Sequence, residues 1–60
     1  MKLKLNKMLF GLLGSDELVS NWWNSPNKAF DLKTPNELWA TDEGKKRVIE
    51  YVYQQFEPGY

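Results

Sequence analysis

The chain has 60 residues, eight of them basic and eight acidic, and it contains neither cysteine nor histidine. This length allows one small domain, residues 1–60, with no disulfide to reinforce its core, and zero net charge argues against a dedicated nucleic-acid binder. No apolar run approaches the roughly 20 residues of a membrane span. The absence of cysteine is consistent with a cytoplasmic protein. We expect its core to be supplemented by its nine aromatic residues, three each of Trp, Tyr and Phe, or by a partner.

The opening residues predict an amphipathic helix over residues 2–13. Its apolar positions recur at three- and four-residue spacing: Leu5, Met8, Leu9, Leu12 and Leu13. Gly14 is a natural helix stop, and Ser15 is an N-cap for a second helix with two acids in its first turn, which should run to about Asn24. Lysines before an apolar patch also resemble a signal peptide, but the patch is short and no cleavage site follows, so none is expected.

The next segment predicts a turn and then an extended linker. The letters N-S-P-N-K have turn chemistry. The letters A-F-D-L-K that follow are too few for a helix of their own. We therefore expect an extended stretch from which Phe30 and Leu32 point inward.

Residues 33–44, K-T-P-N-E-L-W-A-T-D-E-G, start a helix twice. Thr34 is an N-cap, Pro35 takes the first helical position, and Glu37 stands where the acid of a capping box belongs. Thr41 caps again seven residues later, so the third helix should be a single turn or slightly more. This corner would redirect the chain and aim the end of the following helix away from the body.

The fourth helix should run for about three turns after Thr41. Its apolar positions keep helical spacing: Val48, Ile49, Val52, Tyr53 and Phe56. Pro58 and Gly59 then stop it. The fold class that follows is all-α, a small bundle of about four short helices with the third a single turn.

Residues that carry catalysis are scarce. Without histidine or cysteine the commonest general base and the strongest nucleophile are missing, and no glycine-rich phosphate loop occurs. We predict no enzyme, no cofactor and no metal site. A basic cluster, Lys45 to Arg47, could contact nucleic acid, but local pairing with Asp42 and Glu43 is the simpler account.

Trp22 and Trp23 are candidates for contact with a partner. Adjacent helical residues point about 100° apart, so one core face cannot bury both. One should lie in the core, and the other at its edge or on a partner surface, where tryptophan is enriched. For Trp39, beside Leu38, the core is favoured.

Residues 23–60 resemble the toxin-binding domain of Xre/MbcA/ParS-type antitoxins. The ordered motifs S-P-N-K-A-F, T-P-N-E-L-W-A-T-D-E-G, V-x-x-x-V and F-E-P-G-Y carry the resemblance. The chain departs from the family in its spacer, which is usually glycine-containing but here is Asp31-Leu32-Lys33. It also departs in its tail, where Tyr60 follows Gly59 directly, and in having about 22 residues upstream, too few for the helix-turn-helix region.

The resemblance implies a helical domain that docks on a toxin, often a RES-domain toxin that consumes NAD, and covers its active-site cleft with its C-terminal end. Carried over by motif, Glu57, Gly59 and Tyr60 belong to the tail. The whole set assigned to the partner is Trp22, Trp23, Tyr53, Phe56, Glu57, Gly59 and Tyr60. The set assigned to structure is Thr34, Pro35, Glu37, Thr41, Glu43 and Gly44.

The leading hypothesis is thus a stand-alone toxin-neutralising module, without direct nucleic-acid or membrane binding, that could belong to a phage or mobile element. The alternative is a homodimerising structural or adaptor protein that uses its leucine-rich first helix as the contact. A peripheral membrane peptide, with Lys2, Lys4 and Lys7 flanking the apolar face, is a third possibility.

Overall fold

A computed structural model describes residues 1–56. The elements in this range are four α-helices and one 3-10 turn: α1 (Lys2–Leu13), α2 (Asp16–Asn24), the 3-10 turn Lys28–Phe30, α3 (Pro35–Leu38) and α4 (Asp42–Gln54). No β-strand occurs in it, and the only strand-like pairing is an isolated bridge between Asn27 and Lys33. The predicted all-α bundle with a single-turn third helix is confirmed. None of these helices is both long and apolar enough to cross a membrane.

The turn between α1 and α2 forms as its residues predict. Gly14 adopts the left-handed conformation, with φ of 91°, and its N–H donates to the Phe10 carbonyl oxygen. The next residue, Ser15, accepts a hydrogen bond on its hydroxyl from the N–H of Leu18 at 3.2 Å. The two helices therefore follow each other without a linker and pack side by side.

Both helix starts within residues 33–44 are present. The Thr34 hydroxyl accepts from the N–H of Glu37 at 3.1 Å, and the Thr41 hydroxyl accepts from the N–H of Gly44 at 3.0 Å. Among the hydrogen bonds of residues 1–56, the Thr34 N–H does not donate to the Glu37 carboxylate, so the capping box is half formed. Two caps seven residues apart leave α3 with four residues.

The core draws on every element of the bundle. Its buried side chains are Leu5, Leu9, Val19, Trp23, Phe30, Leu38, Val48 and Val52. Burying a large side chain of this kind contributes roughly 1.5–3 kcal/mol. The ring of Trp39 packs edge-on against that of Trp23, with centroids 5.3 Å apart, so Trp39 lies against the core as predicted.

The segment before α3 differs from its prediction. It is a 3-10 turn followed by two residues in the left-handed region, Asp31 at φ 56° and Leu32 at φ 67°. Phe30 is buried as expected. The prediction that Leu32 points inward is wrong, since its side chain is 65% exposed. The reason is a closed loop: the Leu32 N–H donates to the Asn27 carbonyl oxygen at 3.0 Å, which turns the side chain outward.

Candidate partner-binding surface

The last helix presents aromatic side chains on two sides. Val48 and Val52 form its fully buried stripe. Tyr51 and Tyr53 are two residues apart and hence about 200° apart around the helix axis. Both are half-buried, one on each flank of the stripe.

On the first flank, Trp22 of α2 stacks on Tyr51 with ring centroids 6.3 Å apart and an angle of 21° between the rings. Phe30 closes the group, its ring meeting that of Tyr51 edge-on at 5.2 Å. Trp22 is half-buried, and it lines a shallow groove of about 220 Å³ together with Leu18 and Pro26. This flank therefore combines a rigid aromatic group with open apolar surface.

Trp23 faces the other way and is 4% exposed. Its indole N–H donates to the side-chain oxygen of Asn6 at 2.6 Å, and the ammonium of Lys2 lies 4.5 Å from the ring centroid. A partner cannot reach this side chain in the observed conformation. Of the two adjacent tryptophans, Trp22 is the one that is open to a partner.

On the second flank, Tyr53 lies beside α1, with the ammonium of Lys4 5.8 Å from its ring centroid. Phe56 follows the end of α4 and is 46% exposed. Its N–H donates to the carbonyl oxygen of Tyr53 at 3.0 Å, which continues the helical turn beyond Gln54. The other residues assigned to the tail, Glu57, Gly59 and Tyr60, lie outside the described residues.

Those residues assigned to the partner that lie within residues 1–56 do not form one continuous patch. Trp22 and Tyr53 lie on opposite flanks of α4, and Phe56 follows its end. Sequence reasoning missed Tyr51, although its place three residues after Val48 puts it next to the buried stripe. This three-residue spacing could have identified Tyr51 as a residue at the edge of the core.

The residues assigned to structure act locally. Pro35 and Gly44 are buried, and the two threonines cap their helices. Glu37 and Glu43 are exposed in the first turns of α3 and α4, where a carboxylate is favoured by the helix dipole. This group defines the corner between the two helices.

The basic cluster does not pair as predicted. Arg47 contacts the spacer and the 3-10 turn, with 3.7 Å to the carboxylate of Asp31 and 3.3 Å to the carbonyl oxygen of Ala29. The predicted local pair between Glu43 and Arg47 is therefore wrong, because the spacer offers Arg47 an acid and the 3-10 turn offers it a carbonyl oxygen. Lys45 lies over Trp39, with 5.9 Å from its ammonium to the ring centroid.

A family model described as the antitoxin Xre/MbcA/ParS C-terminal toxin-binding domain matches residues 8–57. No curated protein and no solved structure gives a significant match. The matched range takes in α2, α3, α4 and the second half of α1, which is more of the chain than the motifs by themselves covered.

Proposed function

Because the chain belongs to the Xre/MbcA/ParS antitoxin C-terminal toxin-binding domain family, we propose that it neutralises a RES-type toxin by steric occlusion of the active-site cleft. Membership makes it a protein-binding antitoxin module, and the family is a regulatory one and not an enzyme family. What we propose beyond family membership is that the toxin is of the RES class and that the chain inhibits it by occlusion. The C-terminal end would enter the cleft and exclude NAD.

The observation that carries the proposal is the firm anchoring of α4 up to an exposed aromatic end. Val48 and Val52 are fully buried, and Gly44 packs against the last turn of α3. Phe56, just past the helix, keeps nearly half of its surface open. A blocking element is effective only if its base is rigid, since otherwise binding must first order it at a cost in free energy.

The aromatic flanks have separate parts in this proposal. Trp22, held by Tyr51 and Phe30, is a preorganised contact residue of the kind that dominates protein interfaces. Tyr53 lies beside α1, shortly before the tail. Trp23, in the core, joins α2 to α1 through its hydrogen bond to Asn6. Phe56, Glu57, Gly59 and Tyr60 would make the contacts in the cleft.

Removing residues 56–60 should leave the fold intact but abolish neutralisation, since every core side chain found within residues 1–56 lies before residue 56. Helicity by circular dichroism should match the full chain. Growth and NAD content should be measured in cells that express a RES-type toxin together with the chain. The matched control is Leu12→Ser, which changes an exposed apolar residue on α1 and should still protect.

Protection by the shortened chain would contradict occlusion by the tail. Binding of the shortened chain without protection would instead separate docking, by the helical body, from inhibition, by the tail.

A second candidate function, self-association through α1, is favoured by a specific surface. Leu3 and Phe10, 70% and 46% exposed, lie on the side of α1 away from the buried Leu5 and Leu9. A groove of about 420 Å³ runs between them, and it is also lined by Asn6, Lys7 and Asp16. Within residues 1–56 the single ion pair is Arg47 with Asp31, so Lys7 and Asp16 face the groove unpaired with each other.

The occupant that fits this groove is a second copy of the chain. A two-fold contact requires one patch to complement itself. This patch contains apolar side chains, one cation and one anion, so Lys7 of each copy can meet Asp16 of the other. Zero net charge leaves no overall repulsion between copies.

A further inference from the structure

Leu32 combines two unfavourable features for a residue of an isolated domain. Its backbone is left-handed, at φ 67°, where a side chain with a Cβ is strained and a bulky one is a genuine outlier. Its side chain is also the second most exposed of the large apolar residues in the described chain, so it contributes little to the core. Glycine at this position would relieve the backbone strain and remove the exposed apolar side chain.

The surrounding loop holds this conformation firmly. The bridge between Asn27 and Lys33 closes it, with 3.1 Å from the Asn27 N–H to the Lys33 carbonyl oxygen. The Lys33 N–H donates in turn to the Phe30 carbonyl oxygen at 3.0 Å. Arg47 ties the loop to α4 through Asp31. Strain that the surrounding structure enforces in this way is typical of binding sites, where it presents a side chain in its bound position.

We propose that Leu32 is a contact residue for the toxin and inserts into an apolar pocket with an acidic rim. This inference rests on the proposed function and adds a second point of attachment to it. The acidic rim follows from Lys28 and Lys33, which are exposed on either side of the loop. Neither lysine forms an ion pair within the part of the chain that the structure describes.

The position of the loop fits the same partner that meets the end of α4. Arg47 joins the loop to α4, and the helix rises about 11 Å from there to its end at Gln54. An interface of standard size covers about 800 Å² on each partner. Arg47 and Phe56 are on opposite sides of the helix axis, so a cleft that receives the end of α4 would contact Leu32 with its wall on the Arg47 side.

The test compares Leu32→Gly and Leu32→Ala with the unchanged chain, using a purified RES-type toxin. Leu32→Gly should raise Tm by about 4 °C, since it removes the strain, and should weaken Kd by roughly tenfold or more. Leu32→Ala keeps a Cβ and therefore should not raise Tm, yet it should weaken Kd to a similar degree. Leu12→Ala, at an exposed leucine on α1 that lines neither groove, is the matched control and should leave Kd unchanged.

The outcomes separate this contact from the proposed function. Binding of both Leu32 variants within about twofold of the unchanged chain would overturn the contact alone. A lower Tm for Leu32→Gly would also overturn it, because it would mean that the leucine serves the fold. Absence of toxin binding by the unchanged chain would overturn the contact together with the RES-type proposal.

Discussion

Gly11 and Gly44 both lie inside helices, but only one of them is required by packing. A Cβ built on Gly44 would lie 2.7 Å from the carbonyl carbon of Leu38, where α3 ends against the first turn of α4. A Cβ on Gly11 would meet nothing within 4 Å. The close approach at Gly44 is what lets two helices start seven residues apart. This explains why the glycine of the T-D-E-G motif is structural.

Gly44→Ala should therefore destabilise the domain by about 3 kcal/mol, a large share of the stability of a small domain, because backbone must shift to make room. Gly11→Ala should stabilise it by about 0.5–1 kcal/mol, the usual gain for alanine in a helix interior. Urea denaturation monitored by circular dichroism would measure both. Similar effects from the two substitutions would contradict this account of the corner.

At the scale of elements, each helix start after residue 14 has a side-chain cap. Ser15, Thr34 and Thr41 each accept a hydrogen bond from the N–H three residues ahead. Such caps are worth most where packing supplies little else, and α3 has only four residues. The short helix is thus held by its cap at one end and by Leu38 and Pro35 in the core.

Thr41→Ala should cost about 1–2 kcal/mol and Thr34→Ala about 0.5–1 kcal/mol, since each leaves a backbone N–H without its partner. The larger effect is expected at Thr41, where the bond is partly buried and starts a 13-residue helix. Thermal unfolding would provide both values. Thr→Ser at each position retains the hydroxyl and serves as control. If serine failed to recover most of the loss, the hydrogen bond would not be its cause.

At the scale of the whole molecule, α1 has apolar side chains on both of its sides. Leu5 and Leu9 face the core, so a contact between copies cannot use them, whereas Leu3 and Phe10 are open. Apolar side chains exposed together on one side of a helix can mark a protein contact. The leucine-rich contact considered from the sequence is therefore confined to the outer face.

Phe10→Ser should weaken self-association by roughly tenfold or more, since it removes the larger apolar group of the groove. Sedimentation over a range of concentrations would measure this, with Leu12→Ser as a control outside the groove. Lys7→Glu and Asp16→Lys should each weaken the dimer, and their combination should restore it. This interface would be excluded if the chain stayed monomeric at all concentrations, or if Phe10→Ser left the dimer dissociation constant unchanged.

The starts of α2, α3 and α4, their threonine and serine caps and the antitoxin family could be predicted from the sequence, but the end of α4 could not, since the helix was expected to continue to Pro58 and ends at Gln54. Helix starts are encoded locally, because Ser15, Thr34 and Thr41 bond to groups only three residues away. The family was recognised from an ordered series of short motifs, and a family model matching residues 8–57 confirms it.

Only the tertiary structure decided which tryptophan is buried, where Leu32 points and what Arg47 binds. Trp23 is in the core because Asn6, 17 residues away, accepts its indole N–H. Arg47 turns to Asp31 and to Ala29, 18 residues away, although Glu43 lies one turn before it. Local hydrogen bonds determine where the helices start. Burial and ion pairing depend instead on which distant segments come into contact when the chain packs. The periodic pattern of apolar residues does not identify those segments.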